Sequence, residues 1–129
     1  MKRLALIVLA AAMLAPAAGR AETARGDGAH AARVRAPTRL LVEAREFNLA
    51  LSRSRVRPGT AIVQLANRGE DPHDLRLARI GGGGTARIAE TLPGDVGEWE
   101  GRLRRGRYRV YCTLEGHRAA GMRGVLTVR

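Results

Sequence analysis

A cysteine, a histidine and a methionine share one short stretch late in the chain: Cys112-Thr113-Leu114-Glu115-Gly116-His117-Arg118-Ala119-Ala120-Gly121-Met122. Cys112 is the only cysteine, four residues separate it from His117, and four more separate His117 from Met122. A thiolate, an imidazole and a thioether form a soft donor set, which suits copper better than a hard cation. A trigonal copper site takes two histidines and one cysteine around a weak axial methionine, so the stretch is one imidazole short. His73, within Asp71-Pro72-His73-Asp74-Leu75, can supply it. Taken singly, each residue has an ordinary reading. Met122 would be a core methionine, His117 a surface histidine and Cys112 a small buried hydrophobe. The joint spacing is much harder to obtain by chance. Zinc could occupy the same donors, but one cysteine with a distant methionine is not a structural zinc pattern.

Those four residues need a frame, and the preceding chain reads as one. Leu40, Leu41 and Val42, then Phe47, Leu49 and Leu51, give short apolar runs and alternation that suit two successive strands. Arg57-Pro58-Gly59 signals a turn, Ala61-Ile62-Val63-Gln64-Leu65 a strand, and Asn67-Arg68-Gly69 its end. The segment Asp71 to His73 reads as a loop, after which Leu75, Leu77 and Ile80 resume the alternation. Gly81 to Gly84 is a turn, and no Lys-Ser or Lys-Thr follows to make it a phosphate loop. Ile88 and Leu92 precede a turn at Pro93-Gly94, and Val96 and Trp99 lead to Leu103. After Arg105-Gly106, Tyr108-Arg109-Val110-Tyr111 is the strand that delivers Cys112, and Gly124 to Arg129 closes the chain. Short strands, repeated turns and no convincing helix indicate an all-β sandwich.

Tyr111-Cys112-Thr113, Gly116-His117 and Gly121-Met122-Arg123-Gly124-Val125-Leu126-Thr127-Val128 together resemble the C-terminal copper loop of cupredoxins, the plastocyanin/azurin class. Asn67-Arg68-Gly69 and Pro72-His73-Asp74-Leu75 are similar to the segment carrying that family's first ligand. The four-and-four spacing is most like that of rusticyanin and auracyanin. The resemblance spans about residues 38–129 and implies a Greek-key β-sandwich. It also implies one mononuclear type 1 copper held by His73, Cys112, His117 and Met122, and an Asp74 that ties the His73 loop to the Cys112 loop. Two positions depart from the usual pattern: Glu115 stands where many relatives have proline, and Asp74 where asparagine is common.

The 129 residues amount to one domain. Residues 1–21 read as a cleaved signal peptide: Lys2 and Arg3, an apolar run from Leu4 to Ala15 too short to span a membrane, then small residues at Gly19 and Ala21. Export to the periplasm or medium follows. Residues 22–37 are small and charged without apolar periodicity, a flexible tether in which His30 is a solvated side chain. The copper-binding domain is then 38–129.

Setting aside Lys2, Arg3 and Arg20 leaves 20 basic against 12 acidic residues, a charge near +8 carried entirely by arginine. Such a chain would attract nucleic acid, anionic lipid or an acidic protein, or simply be well solvated. Export argues against nucleic acid, and 3% aromatic residues give no base-stacking surface. No segment of the mature chain could cross a membrane, and a monomer is expected.

The expected function is single-electron carriage between redox partners, one of them acidic, with His117 as the electron port beside Leu114, Ala119 and Ala120. The alternative is a periplasmic copper buffer or donor, a class that more often shows Met-rich or His-rich open sites. A non-metal binding module is disfavoured by the intact ligand set. An enzyme is least favoured, because four protein ligands leave no open coordination position for substrate.

Overall fold

The computed structural model describes residues 35–129. Nine strands and one helical turn follow in order: β1 (Thr38–Arg45), β2 (Asn48–Leu51), β3 (Arg55–Val56), β4 (Gly59–Asn67), β5 (His73–Arg79), β6 (Thr85–Thr91), β7 (Val96–Leu103), β8 (Gly106–Tyr111), α1 (His117–Ala120) and β9 (Arg123–Val128). They form a four-stranded sheet, β2-β1-β4-β7, and a five-stranded sheet, β3-β9-β8-β5-β6. The signal-peptide segment, most of the tether and His30 lie outside the described residues.

Alternation decides which side chains face the core. Leu40, Val42 and Ala44 of β1 are buried, as are Ala61, Val63 and Leu65 of β4. The two strands run parallel with Leu40 opposite Val63 and Val42 opposite Leu65, so the six side chains form one inward face. The second sheet answers with Leu75 and Leu77 of β5, Tyr108 and Val110 of β8, and Leu126 and Val128 of β9. Each fully buried Leu or Val contributes about 1.5–3 kcal/mol on burial. This layer, and not hydrogen bonding, drives assembly.

Two polar residues tighten turns at opposite ends of the sandwich. The Tyr108 hydroxyl donates to the Arg104 carbonyl at 2.9 Å and accepts from the Arg104 N–H at 3.1 Å, closing the turn from β7 into β8. Asn67, fully buried at the end of β4, donates through Nδ2 to the Asp71 carbonyl at 2.8 Å and the Thr91 carbonyl at 2.9 Å. Its side-chain oxygen accepts from the Gly69 N–H at 2.9 Å. One amide therefore folds the loop 67–73 and joins it to β6.

The sandwich expected from alternation is present, with three local differences, the first being that Phe47, read as part of the second strand, lies in the turn before β2. His73 is the first residue of β5 and not part of the preceding loop. The stretch after Cys112 contains a helical turn, α1, where only loop was expected. Four residues bounded by Gly116 and Gly121 are too few to reveal a helical period.

Candidate metal centre

β5 begins with His73, and β8 ends with Tyr111 immediately before Cys112. These strands are antiparallel neighbours, so their ends bring the two residues to the same edge of the core. α1 carries His117 over that edge, and Met122 precedes β9. His73, Cys112 and Met122 are fully buried, and His117 is partly exposed. The His73 and His117 Nδ1 atoms are 3.3 Å apart, and Cys112 Sγ is 3.7 Å from His117 Nδ1. One ligand atom from each of the three residues lies within 4.8 Å of the others. Met122 is tied to the other two through the main chain: its N–H donates to the His117 carbonyl at 3.0 Å, and its carbonyl accepts from the Cys112 N–H at 3.2 Å.

The outer ring of contacts gives the donors their orientation. Glu46, in the turn between β1 and β2, accepts from His73 Nε2 at 3.0 Å. That bond commits Nε2 as the protonated nitrogen and leaves the Nδ1 lone pair facing His117 and Cys112. The same carboxylate oxygen accepts from the Glu70 and Asp71 N–H groups, each at 2.8 Å. Gly69 makes this possible, because a Cβ there would lie 2.1 Å from Glu46 Oε1. The Asp71 N–H is the largest cause of a Glu46 pKa lowered from 4.5 to about 2, and the Glu46 and Glu70 N–H groups and the His73 ring add to it against desolvation. Asp74 accepts from both the main-chain N–H and the hydroxyl of Thr113, which joins the His73 and Cys112 segments as the resemblance implies.

Burial pushes the Cys112 thiol above its ordinary range. The Asp74 and Leu114 N–H groups oppose that shift, while the Asp74 carboxylate adds to it. A buried thiol of this kind stays neutral until a cation displaces its proton, and a coordinated thiol is deprotonated outright. Two imidazole Nδ1 atoms and one such sulfur, converging from three backbone segments, fit a soft metal ion.

Three contributors were missed by sequence reasoning. Glu46 lies 27 residues from His73 in the chain, and nothing in the sequence around it marks a contact with that histidine. Phe47, 44% exposed, packs its ring edge-on to His117 with centroids 5.3 Å apart. Gly121 has φ of +137°, and a Cβ there would lie 2.7 Å from the Phe47 carbonyl oxygen. Glu115 and Arg118, three residues apart, form no ion pair. The Arg118 guanidinium instead lies over the Tyr111 ring, 4.4 Å from its centroid.

No protein-family model and no curated protein sequence matches the chain. Solved structures do. The chain is similar to the "blue" copper protein auracyanin A of Chloroflexus aurantiacus, with 16% identity over 73% of this chain and 100% of that one, at a TM-score of 0.59. Reduced auracyanin of Roseiflexus castenholzii matches with 22% identity over 74% and 99%, at a TM-score of 0.60. An azurin of Methylomonas sp. strain J matches with 14% identity over 73% and 99%, at 0.57. Strand order, sheet pairing and these likenesses agree: the described chain has the cupredoxin β-sandwich fold.

Proposed function

We propose that this chain is an exported type 1 copper protein that carries single electrons between redox partners. The observation that carries the reading is the convergence of His73 Nδ1, His117 Nδ1 and Cys112 Sγ at one end of a rigid sandwich. Those three residues would hold the ion, with the Met122 thioether as a weaker fourth donor. Copper bound there would supply a one-electron store, alternating between Cu(I) and Cu(II).

The protein's own part is to keep the donors still. Glu46 holds the His73 ring, Asp74 holds Thr113 beside Cys112, and main-chain bonds clamp Met122 to both other loop ligands. A site that moves little between oxidation states exchanges electrons with little reorganisation. Three of the four residues are fully buried, so His117 is the point where a partner comes nearest the site, flanked by Phe47. A copper buffer or donor must instead release its ion to another protein, which burial of His73, Cys112 and Met122 opposes. Four protein donors leave no position for a substrate, which favours carriage over catalysis.

Adding Cu(II) to the mature protein is expected to produce an intense sulfur-to-copper charge-transfer band in the visible spectrum. Cys112→Ser should abolish the band and leave the far-ultraviolet dichroism of the sandwich unchanged. A Cu(II) adduct without colour in the unsubstituted protein would sink the reading. One-electron reductant should bleach the band at one equivalent per chain, while loss of the metal to a mild chelator faster than electron exchange would favour copper delivery instead.

A further inference from the structure

We propose that the outward face of the five-stranded sheet is a docking surface for an acidic protein partner, centred on a cleft beside Tyr111. Cross-strand register places Arg87, Arg76, Tyr111 and Arg123 in one outward row from β6 through β5 and β8 to β9. The next row carries Arg109 and Val125. Beyond it, Arg107, Thr127 and Arg55 complete the face toward β3. No carboxylate occupies any of these positions. Of the two acids on the five strands, Asp74 is buried against Thr113, and Glu90 sits past the β5–β6 irregularity. The opposite sheet is mixed: its outward positions include Glu43, Glu98 and Glu100 as well as Arg39 and Arg102.

Like charges directly opposite one another, as Arg76 and Arg87 are, destabilise a sheet. Folding alone therefore gives no reason for such a face, whereas a partner's carboxylates would neutralise it. The surface also has the composition of a recognition site. A cleft of about 340 Å³ is lined by Arg109, Arg118 and Arg123 around Tyr111 and Val125. Val125 is 43% exposed, and the Arg118 guanidinium lies over the Tyr111 ring. Tyrosine and arginine around a small apolar centre, without lysine, are what protein interfaces favour. The guanidinium fork matches a carboxylate with two parallel hydrogen bonds.

A folded acidic protein fits this face better than a membrane surface does. The cleft can seat one side chain, and of the exposed large apolar residues Phe47, Ile80, Leu92, Val96 and Val125 only Val125 lies in its lining. Tyr111 is bonded directly to Cys112, so a partner seated here would reach the proposed copper site by a second approach besides His117. Carboxylate binding itself needs only the arginines and not the metal.

The mature protein, metal-free and copper-loaded in parallel, is titrated at low salt with a deca-glutamate peptide and followed by amide chemical shifts. Shifts are expected along β8 and β9 in both forms. The pair Arg87→Glu and Arg109→Glu should weaken binding about tenfold, and Arg87→Gln with Arg109→Gln should weaken it less in the same direction. Arg39→Glu with Arg102→Glu alters net charge equally on the other sheet and should weaken binding by less than about twofold. Equal weakening by the two charge-reversed pairs would overturn the proposal in favour of net charge alone. Binding to phosphatidylglycerol vesicles through these arginines, with none to deca-glutamate, would also overturn it and make the face a lipid surface. Failure to bind copper, with deca-glutamate binding intact, would count against the proposed electron carriage and not against this face.

Discussion

Glu46 shows how much one exposed side chain can organise. A single carboxylate oxygen accepts from the Glu70 and Asp71 N–H groups and from the His73 ring, so it shapes the 67–73 loop and orients the imidazole together. A neutral amide at this position keeps an acceptor but loses the charge that makes such bonds strong. Its folded pKa, about 2, lies below the ordinary 4.5, so the charged form is favoured by folding. The resulting stability is fully present above about pH 4.5 and is lost as pH falls through about 2. Urea unfolding of the metal-free protein and of Glu46→Gln is expected to show the wild type more stable at pH 7, with the gap narrowing below pH 4.5. A gap independent of pH would mean that the carboxylate's charge is irrelevant there. Glu46 was not legible in the sequence because nothing local marks a turn residue that reaches 27 positions along the chain. The proximity of Cys112, His117 and Met122 was legible because all three sit on one short loop, where spacing is itself geometry.

The ligand loop behaves as an element in its own right. The Ala120 N–H donates to the Gly116 carbonyl at 2.9 Å, and the bonds from Met122 to His117 and Cys112 close the loop at its base. Gly116 has φ of +77° with open space around its Cβ position, whereas Gly121 combines φ of +137° with the Phe47 carbonyl 2.7 Å away. Gly116→Ala is therefore expected to cost about 1 kcal/mol of stability, and Gly121→Ala about 2–3 kcal/mol, because backbone strain and a clash add. Chemical denaturation of the two metal-free variants decides it; equal costs would mean that Phe47 moves aside freely. At this scale, alternation such as Ala61-Ile62-Val63-Gln64-Leu65 announced β4 plainly. The parallel pairing of β1 with β4 and of β3 with β9 was not legible, because period-two alternation says which face is buried and not which strand lies alongside.

For the whole molecule, the dominant quantity is charge. The chain from residue 22 onward carries a charge near +8, and arginines are the only charged residues in the paired outward rows of one sheet, so an acidic redox protein should be drawn from a distance. Electron exchange with such a partner is expected to slow about tenfold as ionic strength rises from about 0.01 M to about 0.15 M. Glu115, exposed beside Gly116 and without an arginine partner, opposes that attraction, so Glu115→Gln should speed exchange by less than about twofold at low salt. Stopped-flow rates across a salt series check both. A rate that is flat or rises with salt would show that the arginines only solvate the chain. Arginine content was readable from composition, but the segregation of charge onto one face required the register, because Arg76, Arg87 and Arg123 are not neighbours in the chain.

The last strand has a consequence for when the protein can fold at all. β9 lies between β8 and β3, supplies Leu126 and Val128 to the core, and pairs in parallel with a segment from the first third of the described chain. Such long-range pairing must overcome a loop-closure cost before any stabilisation returns. Until Arg123–Val128 has emerged, β8 ends in an unpaired edge and Met122 has no strand to anchor it. A chain still being synthesised therefore lacks both its closing strand and an anchored 112–122 loop, so His73, Cys112 and His117 converge only once the last residues are available.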